Sequence, residues 1–195
     1  MVIGLTGQTG SGKSTVARLL GFESINADEV AHEVLLDPRV KNELCGRFGQ
    51  DILDDNGEIN RGELAKKAFA NPNSLAMLGA ITHPAIIKEI LDRIELLEGR
   101  GEKIILLDAP TLFESGAHKM CSKIIFVTAD GQIRKKRIME RDGLSEQAAE
   151  LRLRAQKTDD FYKSADYKII NTGDKRELEK SALSLKETLI KLTEE

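Results

Sequence analysis

At 195 residues, with 41% hydrophobic and 31% charged side chains, the chain has the composition of an ordered globular protein and the length of one packed domain carrying an inserted module. A formal net charge of -3 gives no general field for gathering nucleic acid or anionic lipid, so any phosphate binding must be local. No apolar run approaches the roughly 20 residues of a membrane span, and the opening MVIGLTGQTG lacks the pattern of a signal peptide, so a cytoplasmic address is expected. Cys45 and Cys121 stand far apart with no His or Cys at ligand spacing and read as reduced structural thiols.

Residues 2–6 form a short apolar run that breaks at Gly7 into a glycine-rich loop, and Lys13–Leu20 resumes with helical spacing, which predicts strand, loop, helix. Residues 22–27 are a weaker strand candidate. Three further runs, 103–108 (KIILLD), 123–128 (KIIFVT) and 167–171 (YKIIN), have the β-branched content of buried parallel strands. Between positions 28 and 99 the pattern is helical, punctuated at Asp37-Pro38, Asp54 to Gly57 and Asn71-Pro72, and predicts an insert of three to five helices. Residues 130–160 turn basic, with Arg134, Lys135, Lys136, Arg137, Arg141, Arg152, Arg154 and Lys157, as expected of a helical hairpin between two core strands. Residues 174–192 read as an amphipathic helix covering one face of the sheet.

The chemistry is concentrated in Gly7-Gln8-Thr9-Gly10-Ser11-Gly12-Lys13-Ser14, which satisfies G-x-x-x-x-G-K-[ST] with a strand before it and a helix after it. The glycines let backbone N–H groups turn inward around a β-phosphate, and the helix N-terminus adds its dipole. Lys13 reaches the β/γ-phosphates, and the Ser14 hydroxyl is placed to ligate Mg²⁺. This is the phosphate loop, or P-loop, and a plain glycine-rich turn has no need of Lys and Ser at those offsets. Asp108 ends the run IILLD, where such proteins place an acidic Mg²⁺ ligand; its alternative reading is a cap on the following loop. The guanine-reading string N-K-x-D is absent, and Asp108-Ala109-Pro110-Thr111 lacks the Gly expected three residues after a GTPase switch Asp. Kinase chemistry with ATP and Mg²⁺ is therefore favoured over a GTP switch or a mechanical ATPase.

Beyond the P-loop, several strings occur in order. Ser24-Ile25-Asn26-Ala27-Asp28-Glu29-Val30-Ala31 resembles the (I/V)-D-A-D-x-(I/V)-(A/S)-R segment of the dephospho-CoA kinase family. Thr82-His83-Pro84-Ala85-Ile86 resembles its H-P-x-(I/V), and Asp108 to Glu114 (DAPTLFE) its (D)-x-P-L-L-(F/V)-E. Arg137 to Asp142 (RIMERD) is similar to its R-x-x-x-R-(D/N), Arg154-Ala155-Gln156 to its R-x-x-x-Q or x-A-Q lid segment, and Asn171-Thr172-Gly173 to the N-x-G of its adenine loop. Asn26, His32 and Thr111 depart from the family pattern, and no phosphate contact is carried over to His32.

The resemblance implies an α/β, three-layer P-loop kinase fold with a mostly parallel five-stranded sheet. The expected divisions are a nucleotide-binding core at 1–27, 100–129 and 161–195, a helical CoA or acceptor-binding region at 28–99, and a lid at 130–160. It implies phosphorylation of the 3′-hydroxyl of dephospho-CoA by ATP; another P-loop small-molecule or nucleoside monophosphate kinase is the alternative. Small-molecule substrates are the expected partners, without nucleic acid or membrane, and a monomer is expected with an oligomer left open. The catalytic candidates are Asp28 as base for the acceptor hydroxyl, Lys13, and Arg141 stabilising transferring charge. The expected ATP-binding residues are Gly7, Thr9, Gly10, Ser11, Gly12, Lys13, Ser14, Thr15, Arg137, Arg141, Asn171 and Gly173. Asp28, His83, Leu112 and Phe113 are expected at the acceptor, and Ser14 and Asp108 at Mg²⁺. Asp28 also reads as the N-cap of the helix it opens. The proline after His83 predicts extended backbone and a helix break there, Leu112 and Phe113 are alternatively plain core, and Arg141 is alternatively a solvated arginine paired with Glu140 and Asp142.

Overall fold

The computed structural model describes residues 1–156 and 159–194, so Lys157 of the expected lid and Glu195 of the expected core lie outside the described residues. The chain divides into two compact units, one built from Met1–Ile25 with Leu96–Glu195 and the other from Asn26–Glu95. The expected lid segment falls within the same unit as the sheet.

In the first unit, β1 (Val2–Gly7), β2 (Glu23–Asn26), β3 (Ile105–Asp108), β4 (Lys123–Ala129) and β5 (Tyr167–Asn171) form one sheet in the order β2-β3-β1-β4-β5. The β1–β3, β1–β4 and β4–β5 pairings are all parallel, which leaves the backbone of β1 hydrogen-bonded on both sides. Alternation along the strands supplies two apolar faces. Ile3, Leu5, Leu106, Ile125, Val127 and Ile169 form a cluster with Val16 and Leu20 of α1 (Lys13–Leu20) and Leu178 and Leu189 of α9 (Lys175–Lys191). On the other face Gly4 lies under Leu112 and Cys121, and Phe126 meets the edge of Tyr162 with ring centroids 5.6 Å apart. Burial on both faces explains why β1, β3 and β4 are continuous apolar runs, while the edge strand β5 leaves Lys168 and Ile170 exposed. On α9 the buried stripe is Leu178, Ala182 and Leu189, and the helix is capped at Asp174, while Leu183 and Ile190 are partly exposed.

The basic segment forms α6 (Gly131–Asp142) and α7 (Glu146–Arg154), followed by the short α8 (Asp159–Ser164). The first two make a hairpin held by charge. Lys135 Nζ donates to Glu146 at 2.5 Å and to Glu150 at 3.4 Å, and Arg152 donates to Asp142 at 2.7 Å.

The second unit is helical: α2 (Ala27–Val34), α3 (Pro38–Phe48), a 3-10 turn at Gln50–Ile52, α4 (Arg61–Ala68) and most of α5 (Pro72–Gly99). Asn26, Asp37 and Asn60 cap α2, α3 and α4 through side-chain oxygens. Asp28 is therefore not the cap, and its expected capping role is corrected. Residue 26 still has the extended geometry of a strand end, so its side chain is the one that reaches back to the amides of Asp28 and Glu29.

The helix break expected at His83 also fails: α5 runs unbroken through Pro84 for 28 residues. A proline inside a helix loses one hydrogen bond and strains the turn before it, a cost of about 3 kcal/mol. Ile81 before it and Ile90 and Ile94 after it are buried. Ending the helix at residue 83 would take one of those groups out of the core. By length and composition alone α5 is also apolar enough to cross a membrane, contrary to the expectation from the sequence. Its second half carries Lys88, Glu89, Asp92 and Arg93, and Arg93 pairs with Glu89 and Glu33 of its own unit.

Candidate active site

Parallel pairing places the carboxyl ends of β1 and β3 side by side, with Leu5 opposite Asp108. Gly7 ends β1 opposite Val127 of β4, and the P-loop crosses from there to the first turn of α1. Ligands of open parallel sheets gather at this end, beside the strand where the chain changes direction across the sheet. Lys13, at the start of α1, forms an ion pair with Asp108, so the two residues singled out at the ends of separate sequence segments are brought together.

Loop shape is set by glycines at two points. Gly12 has φ 96, the left-handed region, and a Cβ there would lie 2.4 Å from Asn171 Nδ2; Gly10 has φ 77 and would press a Cβ 2.9 Å from the carbonyl oxygen of Arg134. Among the described residues the N–H groups of Gly10, Gly12, Lys13 and Ser14 make no hydrogen bond, which leaves a row of donors at a helix N-terminus. Thr9 is held differently. Its N–H donates to Gln156 Oε1 at 3.0 Å, and its hydroxyl accepts from Gln156 Nε2 at 2.8 Å.

The back of the loop is fastened by side chains distant in sequence. Asn171, buried at the end of β5, donates from Nδ2 to the Ser11 carbonyl at 2.8 Å and accepts at Oδ1 from Gly173 N–H at 3.0 Å and Arg137 Nη2 at 3.3 Å. Arg137 Nη1 donates to the Gly10 and Ser11 carbonyls at 3.2 and 3.4 Å. Both residues were expected at ATP, and what the structure adds is that they hold P-loop carbonyls. They also border a cavity of about 470 Å³ lined by Gly12, Thr15, Leu19, Gly173 and Leu178 among others, a volume suited to a nucleoside.

The remaining candidates fall into three groups. Ser14 is exposed on the first turn of α1 and Thr15 is half-buried beside it. Arg141 does not contact the P-loop: it forks onto the neighbouring Asp142 at 2.7 and 2.9 Å and is 60% exposed, and hydrogen bonding to that carboxylate raises its pKa while lowering that of Asp142. Leu112 is fully buried against Gly4, as a core residue offering no surface to a ligand, whereas Phe113 stacks between His118 and Phe161 at centroid distances of 5.1 and 4.7 Å.

In the helical unit, Asp28 is exposed in the first turn of α2, and its carboxylate makes no hydrogen bond or ion pair with a described residue. His83 is exposed and lies over Gly79, where a Cβ would be 3.1 Å from its Cε1. Together with Pro72, Leu75, Ala76, Ala80 and Pro84 these two residues line an open apolar groove along α5.

Sequence reasoning gave no role to Gln156 or Arg134. Gln156 belongs to the Arg154-Ala155-Gln156 string, but only the fold shows that its partner is Thr9. Arg134 was one of many basic residues, and nothing local distinguishes the one that is buried.

A family model described as dephospho-CoA kinase matches residues 1–177. A dephospho-CoA kinase of Corynebacterium diphtheriae is 40% identical over 190 residues, covering 94% of each chain. Among solved structures, TT1252 from Thermus thermophilus matches with a TM-score of 0.84 at 31% identity, over 98% of this chain and 97% of that one. The dephospho-CoA kinase from Campylobacter jejuni matches with a TM-score of 0.73 at 30% identity, over 96% of each. With a P-loop whose Lys13 meets Asp108 at the carboxyl end of a parallel sheet, and with relatives matched along nearly its whole length, the chain belongs to the dephospho-CoA kinase family.

Proposed function

We propose that this chain transfers the γ-phosphoryl group of ATP to the 3′-hydroxyl of dephospho-CoA, giving coenzyme A and ADP, the last step of coenzyme A synthesis. The observation that carries this reading is the Lys13–Asp108 pair beside free P-loop amides, in a chain matched to the family over residues 1–177.

Phosphoryl transfer asks a protein mainly to position reactants and stabilise charge. The amides of Gly10, Gly12, Lys13 and Ser14 cradle the β-phosphate, and Lys13 leaves Asp108 for the β/γ oxygens. The cavity beside Gly173 takes the nucleoside. The Ser14 hydroxyl and the Asp108 carboxylate are hard oxygen donors, and Mg²⁺ needs only one or two such protein groups beside the phosphates, so these residues fit it. The ion would neutralise charge on the β- and γ-oxygens.

Asp28 aligns the acceptor hydroxyl and takes its proton, and residues 28–99, with His83, hold the rest of the acceptor; Phe113 supplies an apolar wall. Residues 130–160 act as the lid, and Arg141 exchanges Asp142 for phosphate oxygens when it closes, which excludes water. The chain works as a cytoplasmic monomer on small-molecule substrates alone.

The test is coenzyme A formation from dephospho-CoA and Mg·ATP, with AMP, shikimate and gluconate as competing acceptors. Turnover is expected with dephospho-CoA only, and Lys13→Ala is expected to abolish it with the circular dichroism spectrum unchanged. A folded wild type that makes no coenzyme A, or a folded Lys13→Ala with unchanged kcat, refutes the assignment.

A further inference from the structure

Arg134 is the most deeply buried cation of the basic hairpin, at 7% exposure. Its Nε is enclosed without a hydrogen-bond partner, and its guanidinium forms no ion pair or hydrogen bond with any described residue. Asp130, one turn earlier, acts on it with opposite charge but forms no ion pair with it, and its carboxylate caps α6 by accepting from Gln132 N–H at 2.8 Å. Burial consequently pushes the guanidinium pKa below its ordinary value. A buried arginine without a counter-charge is costly, and folded proteins rarely keep one. Its Nη groups are not enclosed with it, so they are open to a partner that arrives from beyond the described residues.

The surroundings identify that partner. Arg134, Arg137 and Arg141 are spaced i, i+3 and i+7, so they form a column along one side of α6. The P-loop lies against this side. A Cβ on Gly10 would fall 2.9 Å from the Arg134 carbonyl oxygen and 3.3 Å from its Cβ, and Arg137 donates to the Gly10 and Ser11 carbonyls. The other two arginines have protein partners in this structure: Arg137 has the P-loop carbonyls and Asn171, and Arg141 has Asp142. Arg134 alone of the three has none among the described residues.

We propose that Arg134 is a ligand for the polyphosphate of the nucleotide, a cation set into the wall of the P-loop whose counter-charge arrives with ATP. A guanidinium held in a partly desolvated place binds phosphate oxygens strongly because it has less water to shed and little freedom to lose. This inference rests on the P-loop reading above.

The test compares wild type, Arg134→Met and Arg134→Gln for binding of AMP-PNP, adenosine and dephospho-CoA, each added alone, with melting temperatures of the unliganded proteins. Binding of AMP-PNP to the wild type checks the P-loop reading itself, and no binding there refutes that reading first. If the wild type binds, Arg134→Met is expected to weaken AMP-PNP by about tenfold or more, the loss of one charge-assisted contact. Adenosine and dephospho-CoA should stay within twofold. Its melting temperature should equal or exceed that of the wild type, because an unpaired buried cation has been removed.

AMP-PNP affinity within twofold of wild type overturns the proposal. An equal loss for adenosine does so too, since it marks general damage to the pocket. A loss confined to dephospho-CoA assigns the anion to the acceptor instead and equally overturns it. Failure of both variants to fold makes Arg134 a structural cation and ends the idea.

Discussion

Asp28→Asn separates chemistry from architecture because the fold assigns the cap of α2 to a different residue. Asn26 accepts from the amides of Asp28 and Glu29, and the Asp28 side chain contributes only its charge to the helix. That charge, exposed in the first turn, interacts favourably with the helix dipole by about 0.3–1 kcal/mol. Losing it should lower the melting temperature by no more than about 4 °C for a chain of this size. The catalytic role predicts a far larger effect elsewhere: a general base contributes about 10²–10⁴-fold, or roughly 3–5 kcal/mol of barrier. Single-turnover formation of coenzyme A from dephospho-CoA should therefore slow by at least two orders of magnitude. AMP-PNP affinity should be unchanged, and acceptor binding should survive better than turnover, since Asn still hydrogen-bonds a hydroxyl. Thermal melts by circular dichroism supply the fold control. A rate loss below about fivefold in the folded variant refutes Asp28 as the base.

Two further substitutions or titrations probe the core unit. Gly12→Ala forces a left-handed alanine and drives a methyl into Asn171 Nδ2, which then releases the buried Ser11 carbonyl. The combined cost of roughly 2–5 kcal/mol should appear as a melting point lower by about 5–15 °C and an ATP affinity at least tenfold weaker, and a melting point within 1 °C of wild type refutes the clash. Burial pushes the Cys121 thiol up to about 12 from its ordinary 9.0. In a Cys45→Ser background it should resist a thiol reagent at pH 8 until the protein unfolds, and rapid labelling of the native protein would contradict this. Because the folded thiol holds its proton more tightly than the unfolded one, its stabilising contribution is complete below pH 9. That contribution is lost as pH rises from 9 toward 12, which equilibrium unfolding across that window should register.

The elements whose signals are local were legible from residue order. A strand buried on both faces must be apolar throughout, so β1, β3 and β4 stood out; the edge strand β5, with Lys168 and Ile170 exposed, was legible from its paired isoleucines, whereas β2, exposed at both its first residues, was not. The P-loop was legible for the same reason: its glycines, Lys13 and Ser14 act within one strand, loop and helix, over eight consecutive positions. Local rules misled where a distant contact outweighed them. Pro84 should have ended a helix, but Ile81, Ile90 and Ile94 are buried on both sides of it, and Asp28 should have been a cap, but the strand ended two residues earlier.

By itself, then, the sequence determined the phosphate-binding loop, the parallel α/β core and the helical insert, because periodicity and motif spacing are properties of neighbouring residues. Only the tertiary structure decided which of the arginines of α6 is buried, that Arg137 and Asn171 fasten P-loop carbonyls more than 120 residues away in the chain, and that Leu112 belongs to the core. Those outcomes depend on which helix face meets the loop after α6 and β5 have taken their places, and no local pattern of charges encodes it.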